Sequence, residues 1–331
     1  MTVRMETRPL GRSGLQAPRL GLGCATFGRE IDEAASFKIM DYAVERGMSL
    51  FDTAEAYGGG EARDYRKSAF QVDDVREVSG EYHSSEKTIG RWLRATGARD
   101  RILLVSKITS NFTRAHVREA LHASLERLQT DYLDVYMFHR FDTEATLEEA
   151  LEAMEEAQTS GLIRCAGCSN FTAGQLRDAL DASRRLGLRR LEVIEAICNL
   201  AARDAERDLL PLCREEQVGF LGFSPLGAGF LSGKYSGDRN AFPPGTRFDV
   251  IPGHADVYFH EQKFKVVEQL HCAAARLGVP ALRLAIAWVL AHPDVTTVLC
   301  GARETAHIDN ALAAYRMEMP AEWPIELKPT P

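Results

Sequence analysis

An α/β fold closed into a single (β/α)8 TIM barrel is what this chain predicts, on three observations. Short β-rich runs alternate with segments of helical periodicity, eight such units can be counted, and the glycine fingerprints of phosphate-binding open sheets are missing. The runs are Pro18-Arg-Leu-Gly-Leu-Gly, Ser49-Leu-Phe-Asp-Thr, Arg101-Ile-Leu-Leu-Val-Ser, Tyr132-Leu-Asp-Val-Tyr-Met-Phe, Arg164-Cys-Ala-Gly-Cys, Leu191-Glu-Val-Ile-Glu-Ala-Ile, Gly219-Phe-Leu-Gly-Phe and Val295-Thr-Thr-Val-Leu. Over much of the chain their starts lie about 30 residues apart, room for one strand, one crossover helix and two loops. Thr146 with Glu149 and Thr172 with Gln175 have capping-box spacing. Leu147, Ala150, Leu151 and Met154 form an apolar stripe, and Gly187 and Gly278 suit helix ends.

A doubly wound open sheet is the alternative. Gly21-Leu-Gly-Cys-Ala-Thr stops short of G-x-G-x-x-G at Thr26. The stretch Gly229 to Tyr235 resembles a P-loop, but Ala228 stands at the first glycine position and Tyr235 replaces the metal-binding hydroxyl residue. All 331 residues are therefore read as one barrel. Two connections exceed the regular spacing, at about 61–83, dense in charge, and at about 236–260, rich in Gly and Pro; such loops are often lids or binding loops.

Composition excludes several function classes. The chain is 45% hydrophobic and 26% charged, with a formal net charge of -7 and no basic run, which argues against nucleic acid or an anionic membrane as partner. Leu282 to Leu290 is broken by Arg283 and is too short to span a bilayer, and Met1 to Gly14 lacks the apolar run of a secretory signal. A cytoplasmic location is expected, as is a small-molecule partner. The 7 cysteines (Cys24, Cys165, Cys168, Cys198, Cys213, Cys272, Cys300) are scattered singly, as suits small core residues of a reducing compartment. Cys165-Ala-Gly-Cys168 invites a metal or redox reading, yet an offset of three on a strand sends the two side chains to opposite faces. No metal site is expected.

Chemistry is suggested by polar residues placed where barrel strands end, the position of catalytic groups in such barrels. Asp52 closes its run, Tyr57 follows before Gly58, Lys107 follows Ile102 to Ser106, and His139 follows Val135 to Phe138. Singly each has a structural explanation: a boundary charge, a turn aromatic, a satisfied histidine. Together on three consecutive strands they point to one site.

At this point the sequence resembles the aldo-keto reductases over nearly its whole length. The matching blocks are Gly21-Leu-Gly, Phe51-Asp-Thr-Ala-Glu-Ala-Tyr-Gly, Val105-Ser-Lys, Met137-Phe-His, Gly167-Cys-Ser-Asn-Phe, Asn199-Leu followed by Arg203, Ser224-Pro-Leu-Gly-Ala-Gly-Phe-Leu-Ser-Gly-Lys-Tyr and Gly301-Ala-Arg. The resemblance implies a nicotinamide cofactor across the carboxyl end of the barrel and a catalytic tetrad of Asp52, Tyr57, Lys107 and His139. It assigns Gly23 to cofactor binding, Ser169, Asn170 and Glu195 to the nicotinamide carboxamide, Phe223 to ring stacking, Ser224, Leu226 and Lys234 to the pyrophosphate region, and Arg303 to an adenosine 2′-phosphate. An arginine there favours NADP, with NAD the alternative. The implied activity is interconversion of a carbonyl and an alcohol, with Tyr57 as acid or base and its phenol drawn toward working pH by Lys107.

The chain also departs from the family pattern. Glu195 stands where glutamine is usual, Phe223 where tyrosine is usual and Cys198 where tyrosine is common. An ionised Glu195 is expected to favour the cationic, oxidised cofactor. The block Gly301-Ala-Arg to Asn310 is one residue shorter than the family spacing, which bears on adenine contacts from His307, Asp309 or Asn310. Two other readings compete: a cofactor-sensing regulatory protein like the potassium-channel beta subunits, and an isomerase that recycles bound NADP. Substrate identity, reaction direction and oligomeric state are not encoded in these motifs.

Overall fold

The structure, a computed structural model, describes residues 5–58, 64, 67, 68, 71, 78–239, 241–251, 253 and 255–317. Eight parallel strands form a closed barrel in chain order: β3 (Leu20–Gly23), β4 (Leu50–Asp52), β5 (Leu103–Ile108), β6 (Leu133–Phe138), β7 (Ile163–Ser169), β8 (Leu191–Ile197), β9 (Gly219–Phe223) and β10 (Thr297–Gly301), which pairs back onto β3. The helices α1 (Glu33–Glu45), α2 (Ser84–Thr96), α3 (Arg114–Leu128), α4 (Leu147–Thr159), α5 (Ala173–Leu186), α6 (Leu209–Glu216), α10 (Ala281–Ala291) and α11 (Thr305–Tyr315) accompany the strands. The (β/α)8 TIM barrel expected from alternation is the observed fold.

Local chemistry sets the helix ends as the sequence indicates. Thr172 and Gln175 form a reciprocal capping box at the start of α5, and the Thr146 side chain accepts from Glu149 N at the start of α4. Gly187 closes α5 in the left-handed region. The strands are short and buried on both faces, so they read as apolar runs without alternation. Leu50, Val105, Val135, Val193 and Leu221 fill the barrel interior, while Phe51, Trp92, Tyr136 and Trp288 belong to the layer between strands and helices. Each fully buried leucine or phenylalanine contributes about 1.5–3 kcal/mol.

Two features were not legible beforehand. A hairpin of β1 (Thr7–Pro9) and β2 (Gln16–Pro18) carries Leu10 and Leu15 into the interior cluster. The 236–260 connection is not purely irregular: it contains α7 (Arg247–Val250) and α8 (Ala255–Tyr258) before the longer α9 (Glu261–Leu277). Phe248, fully buried, packs at 4.6 Å from Tyr235 and 5.2 Å from Phe259, ring centre to ring centre. That aromatic sub-core ties the connection to the barrel. Most of the 61–83 connection lies outside the described residues; within it Tyr82 donates to Asp64 Oδ2 at 2.7 Å.

Cys165 packs in the barrel interior and Cys168 in the outer layer, the opposite-face arrangement expected of an offset of three. No single helix among the described residues is long and apolar enough to cross a membrane. An arginine-lined hollow opens at the amino-terminal end of the barrel, among Arg12, Arg164, Arg189 and Arg190. None of the expected site residues lines it, and Arg189 and Arg190 are already held by Glu155 and Glu192.

Candidate active site

Strand register brings the four expected residues to one end of the barrel. Asp52 closes β4 and pairs with Val105 of β5; two residues on, Lys107 pairs with Met137 of β6, and His139 N donates to Ile108 O at 2.8 Å just beyond the strand end. Tyr57 sits in the turn that leaves β4. Its N–H donates to Ala54 O at 3.0 Å, and its carbonyl accepts from Ser85 N at 3.3 Å at the start of α2. Gly58, with φ +114°, packs so closely on that helix that a Cβ would lie 2.1 Å from Ser84 Oγ. Glycine is required there, and the turn that presents the phenol is fixed as a result.

At the centre lies a fully buried lysine. Lys107 Nζ donates to Asp52 Oδ1 and, at 3.0 Å, to Thr53 O, and it stands 3.2 Å from Glu195 Oε2. The same nitrogen is 5.0 Å from the centre of the Tyr57 ring, whose edge meets the His139 ring at 5.5 Å. Burial alone depresses an ammonium, but Asp52, Glu195 and Tyr57 overcome it and hold Lys107 protonated well above the ordinary lysine range.

Burial pushes the Tyr57 phenol up; Lys107 pulls it down, but Asp52 and Glu195 add to the rise, so the net shift is upward and not toward neutrality. Tyr57 stays partly open to the barrel mouth, which tempers that rise. Burial, then the positive charges of Lys107 and Arg140, lower His139 to about 3, so its imidazole is neutral at physiological pH. Its Nδ1 is buried without a hydrogen-bond partner among the described residues.

Glu195, on β8 between Ser169 of β7 and Leu221 of β9, is turned to Lys107. Burial and the neighbouring Asp52 raise its carboxyl to about 8 against the pull of Lys107. It therefore belongs to the lysine cluster, a partnership the sequence did not indicate.

The remaining expected residues ring the same end. Gly23 closes β3, Ser169 closes β7 and Phe223 closes β9. Asn170 donates from Nδ2 to His139 O at 2.9 Å, which links two adjacent strand ends. Ser224 and Leu226 follow Phe223 into a tight turn; the Asn199 side chain donates to Ser224 O at 2.9 Å, and Ser224 itself has a left-handed backbone, φ 54°. Lys234 is exposed, with Nζ 5.2 Å from the Tyr235 ring centre. Arg303, just past β10, lies 3.6 Å from Glu30 Oε2.

His307, Asp309 and Asn310 are engaged within the chain. His307 Nδ1 accepts from Arg303 N at 3.2 Å, Asp309 from the Tyr42 hydroxyl at 2.6 Å and Asn310 from Arg283 at 2.9 Å. Among residues not anticipated, Glu30 and Arg247 join Arg303 at the rim, and Thr53 supplies a carbonyl to Lys107. Among the described residues no group of three or more His, Cys, Asp or Glu side chains is placed to hold a metal ion.

Comparison with known proteins agrees with this geometry. Residues 19–323 match the model of the Aldo/keto reductase family. The chain is 29% identical over 332 residues to the uncharacterized oxidoreductase YrpG of Bacillus subtilis, covering 96% of this chain and 93% of that one. It is 30% identical to Protein tas of Escherichia coli, covering 95% and 94%, and 31% identical to a probable voltage-gated potassium channel subunit beta of Arabidopsis thaliana, covering 94% and 91%. With the barrel closed, the four strand-end residues gathered and the match running through nearly all of it, this chain belongs to the aldo/keto reductase family of oxidoreductases.

Proposed function

We propose that this protein is an NADP(H)-dependent oxidoreductase that interconverts an aldehyde, ketone or keto sugar and the corresponding alcohol, with Tyr57 as general acid and base. The observation that carries the reading is the buried Lys107 ammonium, bonded to Asp52 and set 5.0 Å from the Tyr57 ring centre at the barrel mouth. The residues present fit a nicotinamide dinucleotide. Ser169, which pairs with Glu195, and Asn170 offer uncharged polar groups, Phe223 at the end of β9 an aromatic face, and the exposed Lys234 and Arg303 cations, the types of group that a neutral amide, a ring and phosphates require. A nicotinamide dinucleotide held by these residues would supply the hydride chemistry in both directions.

This chain's own residues manage the charge that develops on the substrate oxygen. Tyr57, held neutral by its surroundings, keeps its proton until that oxygen becomes basic, then donates it. Lys107 remains an ammonium throughout and stabilises the phenolate left behind. His139 is neutral and so contributes a hydrogen bond without adding charge. In oxidation the phenolate takes the alcohol proton back.

The test is Tyr57→Phe. Titration by NADPH fluorescence should give a dissociation constant within about twofold of the parent, while turnover on a carbonyl and alcohol panel, followed at the nicotinamide absorbance, falls about 10²–10⁴-fold. Turnover retained within tenfold ends the mechanism. The beta-subunit name carried by the Arabidopsis relative supports a second reading, a cofactor-binding regulatory role. It predicts tight NADPH binding by the parent with no turnover on any member of the panel.

A further inference from the structure

The carboxyl rim holds a charged cluster that the catalytic reading does not use. Glu30 lies in the β3–α1 connection with its side chain only 4% exposed. Its Oε1 takes the Arg29 guanidinium and, at 3.2 Å, that of Arg247; its Oε2 faces Arg303 at 3.6 Å. Three connections that are distant in sequence thus send three cations to one carboxylate. Among the described residues these ion pairs set three guanidinium groups against one carboxylate, beside an arginine that is 49% exposed. Glu304, next to Arg303, lies 3.7 Å from His307. An incoming phosphate meets an attractive field, but it meets it with one face of Arg303 already turned to a carboxylate.

We propose that Glu30 is the residue that sets this chain's discrimination between phosphorylated and unphosphorylated nicotinamide dinucleotides. It acts as a resident anion that competes for Arg303. This rests on the nicotinamide reading above and deepens it. A 2′-phosphate must share Arg303 with Glu30 and feels the repulsion of that carboxylate. A 2′-hydroxyl carries no charge and is indifferent to it. Glu30 therefore narrows the preference that Arg303, Arg247 and Arg29 create, and lets a single site accept both cofactors. Arg29 and Arg247 keep the carboxylate in place, since each faces the oxygen that Arg303 does not.

Glu30→Gln removes the competing charge while keeping the shape. Adenosine 2′,5′-bisphosphate and adenosine 5′-monophosphate, titrated by calorimetry, report the subsite without any turnover; NADPH and NADH, titrated by fluorescence, report the whole site. The variant should bind both 2′-phosphorylated ligands about tenfold more tightly, with the unphosphorylated pair unchanged within twofold. Glu30→Asp, which keeps the charge but withdraws it by one methylene, should show the same direction with a smaller change, and it stands in if the glutamine variant fails to fold. Equal shifts for phosphorylated and unphosphorylated ligands, or no shift, overturn the role of Glu30. Failure of the parent to bind either reduced dinucleotide overturns the nicotinamide reading itself.

Discussion

Two charged assemblies stand at the same end of the barrel and are built in opposite proportion. The deep one sets a single ammonium, Lys107, against two carboxylates, Asp52 and Glu195, with all three side chains at most 5% exposed. Among the described residues the rim one sets the Glu30 carboxylate against Arg29, Arg247 and Arg303, the last half in water. In the interior an excess charge is too costly to keep, so the surplus carboxylate holds a proton, and Glu195 rises to about 8. At the rim, water and salt screen the surplus positive charge, which persists and remains available to an anion. The same functional groups thus become a proton store in one place and, as proposed above, an anion site in the other, and depth is what separates the two.

The sharpest way to break that comparison is Lys107→Met. Removing the one cation leaves two carboxylates facing each other in a buried site, and losing one partner of such a pair costs about 3–5 kcal/mol. The penalty should shrink as pH falls and the carboxylates take up protons. Chemical denaturation at pH 8 and pH 5 reads both effects. A variant as stable as the parent at pH 8 would mean that the cluster is wetter than its burial indicates.

Glu195→Gln has a smaller and more specific effect. The folded carboxyl, at about 8, binds its proton more tightly than the unfolded one at 4.5, so folding takes up a proton between those values. Stability from this group is complete below 4.5 and is lost as pH rises through 8. The parent should therefore become less stable relative to the glutamine variant as pH is raised from 5 to 9, read as diverging denaturation midpoints. Parallel midpoints would show that Glu195 is ionised in the folded chain and that the interior does tolerate its excess charge.

How much of this could be read from the sequence follows from what local pattern encodes. Asp52, Lys107 and His139 were legible because each ends an apolar run, and the end of a strand in such a barrel is a position in space. Tyr57 was legible from its place five residues beyond Asp52 and from the resemblance of the block Phe51 to Gly58; the fold adds the contact of Gly58 with Ser84 that fixes its turn. The partnership of Glu195 with Lys107 was not legible. β5 and β8 are not neighbours in the barrel, and alternation along a strand tells which way a side chain points but not which residue meets it across the interior. The phenol was expected to shift downward because Lys107 was visible as a neighbour, whereas the burial of Tyr57 that outweighs it was not.

The rim was hidden for a different reason: Glu30, Arg247 and Arg303 belong to three connections without periodicity, and only closure of the barrel brings them together. The helices at Arg247–Val250 and Ala255–Tyr258 are about one turn each, too short to show a 3.6-residue repeat.

Arg247→Ala carries the smallest expected effect and sharpens the contrast most directly. Its side chain is 23% exposed, and Glu30 keeps Arg29 and Arg303 after the loss. Partly exposed ion pairs contribute about 0.2–1 kcal/mol, and screening erodes that further. The denaturation midpoint of Arg247→Ala should therefore lie just below the parent at low salt and converge with it near 1 M salt, whereas the Lys107→Met deficit should persist at every salt concentration. A deficit for Arg247→Ala that equals that of Lys107→Met and ignores salt would make the rim a second buried core. Its excess positive charge would then have to be neutralised by a permanent counter-anion, and the distinction between proton store and anion site would fail.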